Sequence, residues 1–246
     1  MKNISPEEIQ ARIELAAAYR LFAALGWHEL IYNHITVKVP GTECFLINPF
    51  GLMYREVKAS NLVKIDIDGT ILGSSDHGIN PAGFIVHAAV HRARPDVGCV
   101  MHTHTTAGMA VACQAEGLLP MSFPAMFYTE RLAYHDFEGV TVEEEECDRL
   151  AADLGARNAM ILRNHGLLAC GPTIGDAFAE LYHLQRACEV QIAVQSSGAK
   201  PTTPTKEIGL KAAAQHDRLA RSGIQNRLLW DAMLRWMDGT NPDYRE

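Results

Sequence analysis

The tripeptide His102-Thr103-His104 carries the residue types in this chain best suited to chemistry. It follows an apolar run, Gly98-Cys99-Val100-Met101, and leads into a small-residue segment, Thr106 to Cys113. Sixty-three residues after His102, Arg163-Asn164-His165-Gly166 closes a second apolar run, Ala159-Met160-Ile161-Leu162. In a β-strand, residues i and i+2 face the same side. Two imidazoles on one face, about 6–7 Å apart at the backbone, can converge on one ion. A third imidazole at another strand end completes a set with open positions, as a catalytic metal requires. The competing reading is a pair of interior histidines donating to backbone carbonyls. The chain has eleven histidines, so chance pairs are common and the neighbouring elements must decide.

Those elements can be read from caps, breakers and periodicity. Ser5-Pro6-Glu7-Glu8 is a helix start, with a cap, a proline at the first helical position and an acidic first turn. The helix should run to about Leu25, bury Ile13, Ala16, Leu21 and Ala24, and end at Gly26. Strands are expected at His34–Val39, Cys44–Asn48 and Val63–Asp66, and Leu62–Leu72 reads as a hairpin around Asp66-Ile67-Asp68-Gly69. Asn80-Pro81 opens a helix to about Arg92. The strand into His102 follows, then a helix to Gln114. Glu143–Leu154 is helical, and strands at Ala159–Leu162 and Leu167–Cys170 flank the turn that holds His165. Thr173, with Asp176 as its third-position partner, caps a helix to about Ser196. A polar linker, Gly198–Pro204, precedes helices near Lys206–Arg221 and Ile224–Asp238. Hairpin turns between several strands favour a mixed or antiparallel sheet in a layered α/β or α+β domain.

Composition narrows the function. Net charge is −7 over 246 residues, with no basic run, which argues against nucleic acid and anionic membrane as partners. The acidic run Glu143 to Glu146 reads as a solvated helix start. Six cysteines without a Cys-x-x-Cys pair read as reduced thiols of a cytoplasmic protein. No signal peptide and no membrane-spanning stretch is expected. A Gly-x-Gly-x-x-Gly after a first strand and a Gly-x-Ser-x-Gly elbow are both absent, so dinucleotide binding and serine-hydrolase chemistry have no support.

Four blocks stand in order: Asn80-Pro81-Ala82-Gly83-Phe84 with His87; Ala93-Arg94-Pro95-Asp96-Val97 running into Val100-Met101-His102-Thr103-His104; Ala133-Tyr134-His135-Asp136; and Leu162-Arg163-Asn164-His165-Gly166. Together they resemble the class II aldolase and adducin family, from the first helix to the linker. The resemblance implies an α/β fold, a three-layer α/β/α sandwich around a mostly antiparallel central sheet. It implies one such domain over residues 1–246, with 205–246 a C-terminal helical extension. It makes His102, His104 and His165 the ligands of a divalent metal, with zinc first and iron or manganese as alternatives. It also implies a small-molecule substrate and a homotetramer with sites between subunits.

The departures from the family carry as much information. Its aldolases place a Pro-Ser-Ser-Glu-like segment before the first ligand histidine; the glutamate is the base and the serines hold the substrate phosphate. Here Gly83 stands nineteen residues before His102, within Asn80-Pro81-Ala82-Gly83. Base and hydroxyls are both missing. A Thr-Gly phosphate contact of the aldolases becomes Phe50-Gly51, placing Phe50 and Gly51 beside the substrate. The Gly-Phe pair and the Ala-Tyr-His-Asp block resemble adducin heads instead. Losing the carboxylate base costs a factor of roughly 10²–10⁴ in rate, and a phosphate dianion without hydroxyl partners is poorly compensated. Gly83 falls in the first helical turn, where a glutamate is expected to be tolerated.

Asn33 and His34 begin the family's substrate-binding strand and are candidate substrate contacts; His34 also reads as a loop histidine beside the sheet. Tyr134 and His135 are candidate proton donors, or a hydrogen-bonded pair in an edge segment. Glu130 is the candidate substitute base. His87 reads as packing against the sheet, and Trp230 and Trp236 as packing anchors. The expected function is a metal-dependent lyase, cleaving a carbon–carbon bond or decarboxylating an unphosphorylated hydroxy- or keto-acid. The alternatives are a non-haem iron oxygenase on the same scaffold and a non-catalytic adducin-like assembly module.

Overall fold

The computed structural model describes residues 4–139 and 144–246. The Ser5 hydroxyl accepts the Glu8 amide, α1 runs Pro6–Leu25, and Gly26 closes it in the left-handed region at φ +72°. Of the four residues expected on its buried side, Ala16 and Leu21 are buried, Ile13 is partly buried and Ala24 is exposed. Leu15, Ala17, Ala18, Tyr19 and Phe22 are fully buried as well. Helix α1 is covered from several directions, by β1, by a short 3-10 turn at Tyr54–Glu56 and by the C-terminal segment, so no single stripe describes it.

Strands β1 (Ile35–Lys38), β2 (Phe45–Ile47) and β3 (Val63–Ile65) are shorter than the sequence suggests. The 62–72 hairpin reduces to β3 and one bridge, Ile65 to Ile71, closed by Asp66 Oδ1 accepting the amides of Asp68 and Thr70. Then come α2 (Pro81–Ala93), β4 (Cys99–Thr103), α3 (Thr106–Ala112), α4 (Phe123–Met126), β5 (Ala133–His135), α5 (Glu144–Leu154), β6 (Ala159–Leu162), β7 (Gly166–Gly171) and α6 (Ile174–Ser196). The seven strands form one sheet in the order β3-β2-β1-β4-β7-β6-β5. Every neighbouring pair is antiparallel except β5 with β6. The expected three-layer α/β/α architecture is present.

Alternation along the strands sorts the layers. Ile35, Val37, Cys99, Met101, Ile161 and Leu167 face one core with α1, α3 and α6. Val100, Ala133, Met160, Leu162 and Leu168 face the opposite core with α2 and α5. Thr36, His102 and His135 share the parity of this second set, which fixes the side on which their chemistry lies. The Tyr19 hydroxyl accepts the amides of Ile35 and Asn48 and donates to the Ile35 carbonyl, tying the start of β1 to the end of β2.

Helices α7 (Lys206–Ala220) and α8 (Ile224–Thr240) complete the chain with a 3-10 turn at Pro242–Arg245. Trp230, Met237 and Tyr244 are buried in the first core, whereas Trp236 is 40% exposed. Six residues of helix turn the side chain to a different face, so one tryptophan anchors α8 and the other does not. Cys99, Cys147, Cys170 and Cys188 are buried, Cys113 is exposed, and none of the six is bonded to another. Among the described residues no helix is long and apolar enough to cross a membrane. The acidic run is not uniformly solvated: Glu146 is 6% exposed, and Glu143 lies outside the described residues.

Candidate metal centre

His102 lies in β4 opposite Leu168, and His104 follows just beyond the strand end. His165 sits in the turn Arg163-Asn164-His165 between β6 and β7. Asn164 takes φ +56°, a conformation its short amide side chain accommodates. The Arg163 amide donates to the His135 carbonyl and the Asn164 amide to that of Ala112, which locks the turn. Gly166 lets it approach β4: a Cβ there would lie 2.3 Å from the Thr103 carbonyl oxygen. Gly166→Ala is therefore expected to move His165 away from the other two rings. Zinc titration with a colorimetric competitor checks this, the expected loss being about 10-fold or more in affinity; unchanged affinity would mean the turn relaxes without cost.

The three Nε2 atoms converge. His102 Nε2 lies 2.7 Å from His104 Nε2 and 3.3 Å from His165 Nε2, and one ligand atom from each residue falls within 4.8 Å of the others. Tetrahedral zinc with bonds near 2.0–2.1 Å would set its nitrogens about 3.3 Å apart. The Nδ1 of His102 lies 2.9 Å from the Leu167 carbonyl, which fixes the N–H on Nδ1 and leaves the Nε2 lone pair for an ion. Burial pushes all three imidazoles down: His102 well below its ordinary value, His165 to about 4, and His104 in the same direction. They are neutral near pH 7, the form that ligates. The donor set, its protonation and its orientation all fit a divalent cation.

The other sequence-selected residues divide sharply. His34 is buried, with its ring centroid 5.7 Å from that of His102. Asn33 is buried with neither side-chain polar atom hydrogen-bonded. His135 is 5% exposed, its Nδ1 2.8 Å from Asp153 Oδ2 and its Nε2 3.9 Å from Glu146 Oε1. His135, Glu146, Phe137 and His165 line one small cavity. Tyr134 points to the other face, where its hydroxyl accepts the Leu118 amide and its ring lies under Arg163, so the Tyr-His hydrogen bond does not form. Glu130 is exposed, paired with Lys206, and lines a separate cavity with Glu180 and Asp217. Phe50 and Gly51 occupy the turn after β2 and make no hydrogen bond or ring contact with the histidines among the described residues. Asp153 and Glu146 were missed because α5 joins His135 only through the fold; no local spacing marks them.

Beneath α2 lies a row of buried imidazoles. His87 packs against the sheet as expected, and Thr36 Oγ1 bridges its Nδ1 at 2.8 Å to His91 Nε2 at 2.9 Å. Burial holds His87 well below the ordinary imidazole range and His91 at about 4. The unfolded chain binds both protons near pH 6.5, whereas the folded chain does not take up the His91 proton until about pH 4, and holds His87 neutral well below its ordinary range. Stability should therefore be full above about pH 6.5 and fall as pH drops toward 4. Urea midpoints of the metal-free protein across that window check the slope, which His91→Phe should reduce. An equal slope in the variant would remove His91 from the account.

Residues 13–192 match the family model described as the Class II Aldolase and Adducin N-terminal domain. The chain belongs to the class II aldolase and adducin family. A Pseudomonas aeruginosa protein named as a candidate aldolase class 2 protein is 51% identical over 249 residues, covering 99% of this chain and 95% of its own. Rat alpha-adducin is 47% identical over 194 residues, covering 77% of this chain and 26% of the adducin. A solved structure of L-fuculose 1-phosphate aldolase from Glaciozyma antarctica is 27% identical with a TM-score of 0.84, covering 100% of this chain and 96% of the aldolase. Membership in the class II aldolase and adducin family is consistent with metal-dependent lyase chemistry.

Proposed function

We propose that this chain is a metal-dependent lyase that cleaves a carbon–carbon bond, or decarboxylates, an unphosphorylated hydroxy- or keto-acid. The observation that carries the reading is the convergence of three neutral imidazole Nε2 atoms at one point, with glycine where the sugar-phosphate aldolases hold their base. His102, His104 and His165 would hold the divalent ion, with zinc first. Such an ion supplies Lewis acidity, polarising a carbonyl and stabilising the negative charge that develops beside it. The protein's own part is to hold and move the proton. His135 is suited to that part, because Asp153 holds its Nδ1, Glu146 lies 3.9 Å from its Nε2, and the residue lines the small cavity shared with His165. Glu130 and Tyr134 lie away from that cavity and have no place in this scheme.

The test is a panel of short hydroxy- and keto-acids in D2O with zinc-loaded protein, followed by proton NMR for α-proton exchange, cleavage or loss of carbon dioxide. Turnover that requires His102 is expected. Turnover of sugar phosphates alone would overturn the reading. The match to alpha-adducin supports a second reading, an assembly module without turnover. Stoichiometric metal with no exchange on any acid would favour it.

The substrate, on this reading, is a small molecule, and the working form is a homotetramer in the cytoplasm. An exposed apolar set on α4, α7 and α8 supports self-association: Phe123, Leu219, Ile224, Leu228 and Trp236 are each at least 40% exposed. Light scattering during size exclusion should give the mass of four 27.1 kDa chains. A single-chain mass at micromolar concentration would sink the oligomer.

A further inference from the structure

One face of α5 turns two carboxylates onto the sheet beside the metal centre. Glu146 lies in the first turn of α5 and Asp153 seven residues later, which is two turns of helix. Both reach His135 on β5. Asp153 Oδ2 is 2.8 Å from its Nδ1, and Glu146 Oε1 is 3.9 Å from its Nε2. Asp153 is half-exposed, whereas Glu146 is 6% and His135 5% exposed. Burying a carboxylate this far is costly unless a donor or a positive charge inside compensates it.

The space around Glu146 shows what that group can be. At 3.9 Å the Glu146 carboxylate is too far from His135 for a direct hydrogen bond, and His135 Nε2 has no partner. The cavity that both residues line measures about 10 Å³, room for one bridging water. His165 forms part of the same wall. Asp136 and Glu138 line it too, but they are exposed, so Glu146 is the buried carboxylate of the cavity. The charge of Glu146 acts on His165: burial pushes that imidazole down, and Glu146 pushes it back up.

His165 also lacks a support that His102 has. The Leu167 carbonyl lies 2.9 Å from His102 Nδ1, whereas Nδ1 of His165 has no hydrogen-bond partner among the described residues. An imidazole that ligates through one nitrogen is oriented by what accepts the N–H of the other, commonly a carboxylate, a carbonyl or a water.

We propose that Glu146 is a positioning residue for the metal centre: across the water-sized cavity it shares with His165, its buried carboxylate receives the Nδ1–H of that ring and holds it in the ligating orientation. The carboxylate then raises the affinity for a divalent ion without touching it. The inference rests on the three-histidine reading above.

The experiment titrates metal-free full-length protein with zinc against a colorimetric competitor. Glu146→Gln keeps the volume and removes the charge; it should bind zinc about 10-fold or more weakly. Glu146→Asp keeps the charge and loses volume; it should bind more tightly than Glu146→Gln. That order separates charge from packing, because a merely structural side chain would favour the glutamine. A third readout needs no variant. In zinc-loaded, histidine-labelled wild type, the Nδ1 proton of His165 should exchange slowly with water. Equal zinc affinity in wild type and Glu146→Gln, an affinity order that follows volume, or a freely exchanging His165 proton would each overturn the inference and leave the three-histidine reading standing. Wild-type protein that holds no zinc would overturn both.

Discussion

Replacing His102 and His104 together by alanine should abolish stoichiometric metal binding. Wild-type protein is expected to hold about one equivalent of a divalent ion per chain by elemental analysis, and the double variant essentially none. The geometry explains the size of the effect. The Nε2 atoms of His102 and His104 are the closest pair in the centre, and His102 is the ring whose proton is fixed on the far nitrogen by Leu167. Loss of an orienting contact alone costs about 10–100-fold in metal affinity, so loss of two ligands should exceed that. A second readout is thermal. An ion that binds only the folded state stabilises it by about 4 kcal/mol at a thousandfold excess over its dissociation constant. Added zinc should therefore raise the wild-type melting temperature and leave that of the double variant unmoved. Equal, substoichiometric metal in both proteins would mean that the three imidazoles form no site.

Sugar phosphates should be turned over negligibly, and Gly83→Glu should not create that activity. Fuculose-phosphate and its relatives need a base and phosphate donors. The sequence offers Asn80-Pro81-Ala82-Gly83 where the aldolases offer serines and a glutamate. The structure adds a third obstacle and corrects an expectation. A glutamate at 83 suits a first helical turn in isolation, but here its Cβ would enter the His34 ring at 2.6 Å. The single substitution should lower stability as well as fail to gain activity. Combining Gly83→Glu with His34→Asn removes the clash, so the double variant should melt closer to wild type than Gly83→Glu alone. Steady-state assays of wild type with sugar phosphates decide the first part. A kcat/KM near 10⁴ M⁻¹s⁻¹ or above, the ordinary enzyme range, would show that another group serves as base. The melting order of the single and double variants decides the second.

The sequence by itself determined the elements that lie close to their signals along the chain. The Ser5 cap and the Thr173 cap are local hydrogen bonds, and both helices begin where those residues stand. The His-x-His pair is a period-2 statement, and its two rings do share a face. The third histidine and the α/β/α layering came from motif order, and the sheet places all three rings together. Tertiary structure decided what period and propensity do not encode. Strand β5 is three residues long, too short for a pattern, and exists because β6 supplies a parallel partner. Glu130 is close to Tyr134 in sequence, yet a turn carries it toward Lys206 and away from the histidines. Glu146 and Asp153 reach His135 because α5 packs over β5, a contact across a layer that no spacing announces. Gly83 is the clearest case. The sequence shows that a carboxylate is missing, but only the packing of β1 against α2 shows that an imidazole stands in its place, because exclusion of one side chain by another is a property of volumes brought together by the fold.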